Sequence, residues 1–587
     1  MEVVVAIIGS AVTEVGRSLC GSFPSIKNFI SFQSNLRALE KEMKSLVDLK
    51  NKVIEDVDYP SDDQMTLWHR EVEQILLEVN SVQARIGLTW ISEVEMSKSL
   101  KRVSFMNNRI TMLPDCGICC RETVSLLLQG NRLLSRIPDG FLQAFESLKV
   151  LNLSETHIRS LPQSILQLGD LRILLLKKCF YLEELPQLGR LSQLQVLDCS
   201  ETSIRELPSG MKNLINLRQL YLSGTYNLKT IQSGIVSGLS GLEVLDMTSS
   251  AYVWGLKGEA NDRRTTFEEL QNLEWLHSLS IRLWRIQSLQ NEDLTLIGRL
   301  RIFKLLIGPE AISFQSKHDK RKLIISGLQL SGEGEWIGRL LITNASSMHL
   351  DNCSGLNQML ETLVISSIGS YTGLKSLTIT RSSSSLRPDG GCTANDDLLP
   401  NLEELHLYEL SKLGSISELV GLLGLRFSRL KLIEVIRCDE LEYLLTCGDF
   451  IISLPNLETI KVSSCESLVE IFNFPSQENF VPEPVVPNLR TLKLVNLPRL
   501  ETLSRQDESG QHSKFIACVY HMKAIEQVEV NTCNNLRKLP LTIQNANTVK
   551  EIRGRVEWWR QLKLEEHNTK SSLEHFFKEV VMVNDKE

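Results

Sequence analysis

LKVLNLSET, residues 148–156, is written again as LRILLLKKC (171–179), LQVLDCSET (194–202), LRQLYLSGT (217–225) and LEVLDMTSS (242–250). The opening residues Leu148, Leu171, Leu194, Leu217 and Leu242 are separated by 23, 23, 23 and 25 positions. Within a copy, leucines hold the first, fourth and sixth places, as in Leu148, Leu151 and Leu153 or Leu217, Leu220 and Leu222. The alternation at places four to six predicts a short strand with both leucines on one face. One such strand cannot close a core, so successive copies must stack and share one. At the ninth place Thr156, Cys179, Thr202 and Thr225 bring a small polar or soft side chain to the turn backbone. The intervening IRSLPQSILQLGD (158–170) and IRELPSGMKNLIN (204–216) contain Pro162 and Pro208, which mark an irregular or short-helical opposite side.

Period and pattern are those of leucine-rich repeats. Working towards the N-terminus, Leu100, Val103, Phe105 and Asn108 form one copy and Thr123, Leu126, Leu128 and Asn131 the next, with Thr123 a weak occupant of its place. Towards the C-terminus the period loosens after Ser250, and Trp254 to Arg264 reads as a loop or an enlarged repeat. The phrase returns as LHSLSI (Leu276, Leu279, Ile281), LETLVI (Leu360, Leu363, Ile365), LKSLTI (Leu374, Leu377, Ile379) and LEELHL (Leu402, Leu405, Leu407). LKLIEV (Leu430), LETIKV (Leu457), LRTLKL (Leu489) and IEQVEV (Ile525) continue it. Copies between 300 and 355 are blurred, and the wide steps from 457 to 489 and from 489 to 525 imply inserted loops. RSSSSLRPDGGCTANDD (381–397) is the best candidate for a disordered loop. The period implies roughly seventeen or eighteen repeats.

The front of the chain is different. Val5, Ile8, Val12, Val15 and Leu19 alternate three and four apart, a first amphipathic helix. Phe29, Phe32, Leu36, Leu39, Met43 and Leu46 define a second, and Met65, Trp68, Val72, Ile75, Val79, Val82 and Ile86 a third. Such helices form an antiparallel bundle or pair with a partner copy. Phe29, Leu36, Leu39 and Met43 on helix two, with Trp68, Val72, Ile75 and Val79 on helix three, are the interface candidates, and self-association is expected over a monomer. The stripe Val4, Val5, Ile8 and Val12 is explained equally well by core packing and by reversible peripheral membrane contact.

The whole reads as an α+β multi-domain chain. It has a helical, coiled-coil region at 1–87, a junction at 88–99, a horseshoe-type leucine-rich-repeat solenoid at 100–557 and a tail at 558–587. A net charge of −7 and a pI of about 5.9 give no reason to expect a nucleic-acid partner. Thirteen cysteines is an odd number, and Cys179, Cys438, Cys465 and Cys533 sit in repeat places, which suits reduced thiols in the cytoplasm. Neither a secretory signal nor a bilayer-spanning segment is expected. Cys116, Cys119 and Cys120 have the spacing of half a zinc knuckle but no second pair follows, so no metal is expected. His69, His157 and His277 read as lone surface histidines. No GxxxxGK[ST] loop occurs, and without that cradle neither nucleotide hydrolysis of that class nor any cofactor is expected. Nothing argues for an enzyme.

Binding is the remaining activity, and it belongs to the side chains between the repeat leucines. Lys149, Asn152, Arg172, Lys177, Gln195, Asp198, Arg218, Tyr221, Glu243 and Asp246 are the candidates for a protein-binding surface. The same positions would be polar on any solvated sheet.

Taken together, MEVVVAIIGSAVTEVG (1–16), LWHREVEQI (67–75), KSLKRVSFMNNRITMLP (98–114), the run from Leu126 to Pro162 and the closing GRVEWWRQLKLEE (554–566) resemble the coiled-coil, nucleotide-binding, leucine-rich-repeat immune receptors of plants. The resemblance implies recognition of pathogen effectors, or of guarded host proteins, by the repeats. It also implies signalling from the helical region, in the cytoplasm or peripherally at the plasma membrane. It departs at the centre: between Arg85 and Lys98 the family places a nucleotide-binding switch, and about twelve residues stand there instead. Met348-His349-Leu350-Asp351 is similar to the family's Met-His-Asp switch but lies within the repeats, and is read as chance. The abrupt junction favours a splice form or gene model that skipped sequence over a decayed product or a short adaptor. The alternative class is a repeat scaffold with no immune role.

Overall fold

The computed structural model describes residues 88–91, 100–115, 119–255, 264–284, 291–309, 320–343, 345–366, 370–383, 397–446, 454–473, 486–503, 522, 524–564 and 568–580. The three N-terminal helices, all eight of their interface candidates, Cys116 and the core of the 381–397 loop lie outside the described residues. The chain divides into two compact units, Met1–Ile158 and Arg159–Glu587.

In the first unit β1 (Arg102–Ser104), β2 (Ser125–Leu127) and β3 (Val150–Asn152) pair in parallel. Val103, Leu126 and Leu151 stand in register and are buried, as the repeat spacing requires. The weak Thr123 is fully buried and its hydroxyl donates to the Leu100 carbonyl at 2.6 Å, so a polar residue fits an apolar place. Before β1, residues 88–91 pair with the first repeat: Arg109 N–H donates to the Leu88 carbonyl and Thr111 N–H to that of Thr89, both at 2.9 Å. Ile91 is buried there while Trp90 stays exposed. After β2, helix α1 (Asp139–Gln143) sets Phe141 edge-on to Phe145, with ring centroids 5.3 Å apart.

In the second unit a parallel ladder runs through β4 (Ile173–Leu175), β5 (Val196–Asp198), β6 (Gln219–Tyr221), β7 (Val244–Asp246) and β8 (Ser278–Leu283). It continues through β9 (Ile302–Ile307), β10 (Arg321–Ser326), β11 (Ser347–Asp351), β12 (Ser376–Thr380), β13 (Glu404–Tyr408) and β14 (Leu432–Ile436). A short strand β15 (Tyr443–Thr446) leaves the ladder to pair with β17 (Glu470–Asn473), while β16 (Thr459–Ser463) carries the ladder on. Then come β18 (Thr491–Val495), β19 (Gln527–Asn531), β20 (Glu551–Gly554) and β21 (Phe577–Glu579). Three of these, β9, β10 and β11, are the blurred copies between 300 and 355.

The opposite side is helical, as the prolines predict. Pro162 and Pro208, in extended conformation, immediately precede 3-10 turns at Gln163–Gln167 and Ser209–Asn213 that bury Ile165 and Met211. Longer repeats carry α2 (Asn291–Arg299), α3 (Gly334–Ile342), α4 (Leu356–Ser366) and α5 (Ser417–Leu423). Helix α4 corrects one expectation: LETLVI is not a strand. Leu356, Met359, Leu360 and Leu363 fall on one helical face and are buried, whereas Ile365, expected inside, is 74% exposed. The strands of that region are β11 and β12 on either side of it. At the C-terminal end α6 (Val556–Gln561) and α7 (Thr569–Leu573) close the stack. Trp558 donates its indole N–H to the Leu536 carbonyl at 3.1 Å, and Trp559 stacks on Phe577 at 5.0 Å.

Two periodic devices hold copies together. At the ninth place Thr156, Thr202 and Thr225 each donate to the carbonyl three residues earlier at 2.7 Å. Asn131 does the same to Leu128 and also reaches Phe105 at 2.8 Å. Cys438, Cys465 and Cys533 are buried there as free thiols. The residue just before the ninth place is left-handed in copy after copy: Asn107, Glu155, Lys178, Glu201, Asn352, Arg437, Asn496 and Thr532 all have φ between 49° and 61°.

Candidate recognition surface

Period-two geometry turns the fourth and sixth places inward and the third and fifth to the other face of the sheet. In the first unit this face carries Asn152, buried, while Lys149, at the second place just before β3, is half-buried. Asn152 donates to Gln129 Oε1 at 2.9 Å and accepts from the Ser154 N–H at 3.0 Å.

In the second unit Asp198 and Asp246 make the same backward contact, accepting from the N–H of Ser200 and of Thr248 at 2.9 Å. Burial pushes the Asp198 carboxyl up from its ordinary value, against the hydrogen bonds from Ser200. These fifth-place acids and amides therefore also terminate their own strands. Arg218 pairs with Glu243 at 3.0 Å, and Tyr221 donates its hydroxyl to Gln219 at 3.2 Å. Arg172, Lys177 and Gln195 are half-buried. The structure thus places all ten candidates on or beside the strand face, four of them buried.

Further along, the places just before each strand, beside this face, carry a pattern that the first five copies do not show. The second places read Lys375, Glu403, Lys431, Glu458, Arg490, Glu526 and Lys550, alternating in sign from one copy to the next. Glu403 reaches Lys375 at 3.6 Å and Lys431 at 2.8 Å. Glu526 reaches Arg490 at 3.7 Å and Lys550 at 2.5 Å. This row is legible in the sequence as LK, LE, LK, LE, LR, IE and VK, once the copies are aligned to one another.

Two polar clusters lie on the same face. On β11 and β12, Asp351 accepts from Arg381 through Nε at 2.8 Å and Nη2 at 2.6 Å, from Thr380 at 2.7 Å and from Ser326 at 3.0 Å. Burial opposes the Asp351 charge, but these donors outweigh it and hold the carboxyl below its ordinary value. Beside it His349 lies 3.0 Å from Thr380 Oγ1, and burial depresses its pKa to about 4. The stretch similar to a Met-His-Asp switch is therefore strand β11, with Met348 and Leu350 in the leucine places. On β13 and β14, His406 Nδ1 lies 2.9 Å from Glu434 and its Nε2 3.6 Å from Glu404, while Tyr408 donates to Glu434 at 2.5 Å. Burial works against a charged His406, yet the two carboxylates raise its pKa above the ordinary value. His406 in turn, with Tyr408, lowers Glu434 to about 2.

His157 and His277 are half-buried, while Cys119 is half-buried and Cys120 buried. Among the described residues no group of three or more His, Cys, Asp or Glu is placed to hold a metal ion, and no helix is long and apolar enough to cross a membrane.

A parallel strand per copy, inward leucines and a ninth-place ladder define a leucine-rich-repeat protein. The family profile described as "Leucine-rich repeat region" matches residues 126–416, and that described as "Plant disease resistance protein RPS2-like, leucine-rich repeats" matches 424–551. The repeats belong to those of the plant disease resistance proteins. The Arabidopsis thaliana "Disease resistance protein At4g27190" is 40% identical over 510 residues, covering 85% of this chain and 49% of the relative. "Probable disease resistance protein At4g27220" of the same plant is 41% identical over 471 residues, covering 80% and 49%. The chain thus spans about half the length of these curated relatives. Among solved structures, a leucine-rich-repeat protein of Leptospira interrogans has a TM-score of 0.36 at 16% identity, covering 82% of this chain and 93% of its own.

Proposed function

We propose that the chain is a non-catalytic recognition protein of plant defence, which binds a pathogen effector or a guarded host protein through the strand face of its repeats. The observation that carries this reading is the identity of 40–41% to Arabidopsis disease resistance proteins over at least 80% of the chain. The contact surface in this proposal includes Lys149, Arg172, Lys177, Gln195, Arg218 and Glu243, whose side chains keep some access to solvent. Residues 1–87 act as a helical region that self-associates through the Phe29 and Trp68 faces, the repeats occupy 100–557, and the protein works in the cytoplasm with reversible peripheral contact at the plasma membrane. It works without bound nucleotide, since no phosphate loop supplies backbone donors.

The test is a binding panel of purified full-length chain against pathogen effectors and host defence proteins, read by biolayer interferometry. A partner whose binding is lost on Arg218→Glu/Lys177→Glu supports the reading. Binding that is indifferent to strand-face substitution, or an absence of any partner across the panel, overturns it. Calorimetry returning a micromolar constant for ADP or ATP would overturn the nucleotide-free part.

A further inference from the structure

Where β16 meets β18 two cations face each other, for Lys461 is the register partner of Lys493. Like charges directly opposite on neighbouring strands repel. Each lysine is turned to the acid on its far side: Lys461 lies 3.5 Å from Glu434 and Lys493 3.1 Å from Glu529. The fifth-place row therefore reads acid, base, base, acid.

The same ladder shows once how two such facing cations are reconciled by one carboxylate. Arg553 and Lys578 are also register partners, and Glu551, two places before Arg553, touches both at 3.0 and 2.9 Å. Elsewhere a carboxylate holds cations from the copies on either side of its own: Glu403 touches Lys375 and Lys431, and Glu526 touches Arg490 and Lys550. At the Lys461 pair the residue two places earlier is Thr459, whose register partner is Thr491. Their short hydroxyl side chains place no carboxylate between the two lysines, whose side chains are 41% and 44% exposed.

We propose that Lys461 and Lys493 together receive one carboxylate from an acidic segment of a protein partner, an Asp or Glu side chain seated as Glu551 is seated between Arg553 and Lys578. The assignment rests on the strand face being the recognition surface, and adds the chemistry of one contact. Glu434 and Glu529 flank the pair, so the surroundings accept a single side-chain acid and repel an extended polyanion.

The probe is a fluorescein-labelled peptide of alternating Glu and Ser, with a Gln-for-Glu peptide as control, titrated with the full chain by fluorescence anisotropy at low salt. Lys461→Gln/Lys493→Gln is expected to weaken the Glu peptide about five- to tenfold. Lys375→Gln/Lys431→Gln, whose shared carboxylate Glu403 already lies between them, should stay within about twofold of wild type on the same scale. Thr459→Glu, which supplies the acid from within, should abolish binding while circular dichroism and the urea midpoint remain those of a folded chain. Equal affinity for the Glu and Gln peptides, an unchanged double variant, or a Thr459→Glu chain that binds like wild type would each overturn the proposal. A phosphoserine peptide binding more than tenfold tighter would overturn the choice of a carboxylate. Failure of the effector panel alone would defeat the recognition reading and leave the peptide result standing.

Discussion

Asn131→Ala should be among the most damaging single substitutions in the first unit. The Asn131 amide is fully buried and donates to the carbonyls of Leu128 at 2.7 Å and Phe105 at 2.8 Å, while its oxygen accepts from the Ile110 N–H at 3.2 Å. Alanine removes all three bonds. Phe105 keeps a second donor, Asn108 Nδ2 at 3.0 Å, so the groups stranded are the Leu128 carbonyl and the Ile110 N–H. A stranded buried group costs about 1–3 kcal/mol, which puts the loss at about 2–6 kcal/mol. Repeats are coupled mainly to their neighbours, so the loss should be local. Hydrogen exchange with mass spectrometry over peptides in 100–158 is the assay, and a loss near 3 kcal/mol would speed exchange about a hundredfold. Asn131→Thr provides a graded control. Threonine fills this place at Thr156, Thr202 and Thr225 with one bond to its own loop, so it should keep the Leu128 contact and lose about half as much. Protection changed less than about fivefold by alanine, roughly 1 kcal/mol, would refute the claim that this ladder holds the repeats in register.

Three further outcomes follow from the geometry. Thr532, a β-branched residue at φ 53°, should be relieved by Thr532→Asn, since asparagine holds the equivalent left-handed place at 107, 352 and 496; a urea midpoint higher by the equivalent of about 0.5–1 kcal/mol is expected, and no rise would contradict it. For His406 and Glu434 the signs oppose: a raised imidazole contributes stability below about pH 6.5 that is lost as pH rises through its folded value, and a carboxyl lowered to about 2 contributes above 4.5 and loses it as pH falls. The deficit of His406→Gln in urea unfolding should therefore be greatest between about pH 4.5 and 6.5 and shrink by pH 8.5, and a flat difference would sink the pairing. His349, depressed to about 4, stabilises the fold above 6.5 and withdraws that contribution as pH falls towards 4; His349→Gln should flatten this acid limb, as followed by circular dichroism in urea.

Much of this was written in the leucines. Leu151, Leu174, Leu197 and Leu220 fall in β3 to β6 because the phrase recurs there every 23 residues or so, a register that only stacked strands with a shared core behind them satisfy. The Leu360, Leu363 and Ile365 spacing was ambiguous, since first-and-fourth identity satisfies a helix and a repeat alike; Leu356 and Met359 upstream complete the helical face. Asn152, Asp198 and Asp246 were legible as strand-face residues but not as buried ones. Alternation assigns a face, whereas contact with the backbone two residues on depends on the turn. Nor could a single copy reveal the charge row, because sign alternation is a relation between copies.

That row imposes a parity on the array. If the copy containing Glu403 were excised, Lys375 would stand beside Lys431; if the copy containing Lys431 were excised, Glu403 would stand beside Glu458. Any single deletion or insertion across this stretch sets like against like, whereas adding or removing two copies restores opposites. From Lys375 to Lys550 the smallest interchangeable module is therefore a pair of repeats, and variants of different length should differ there by even numbers.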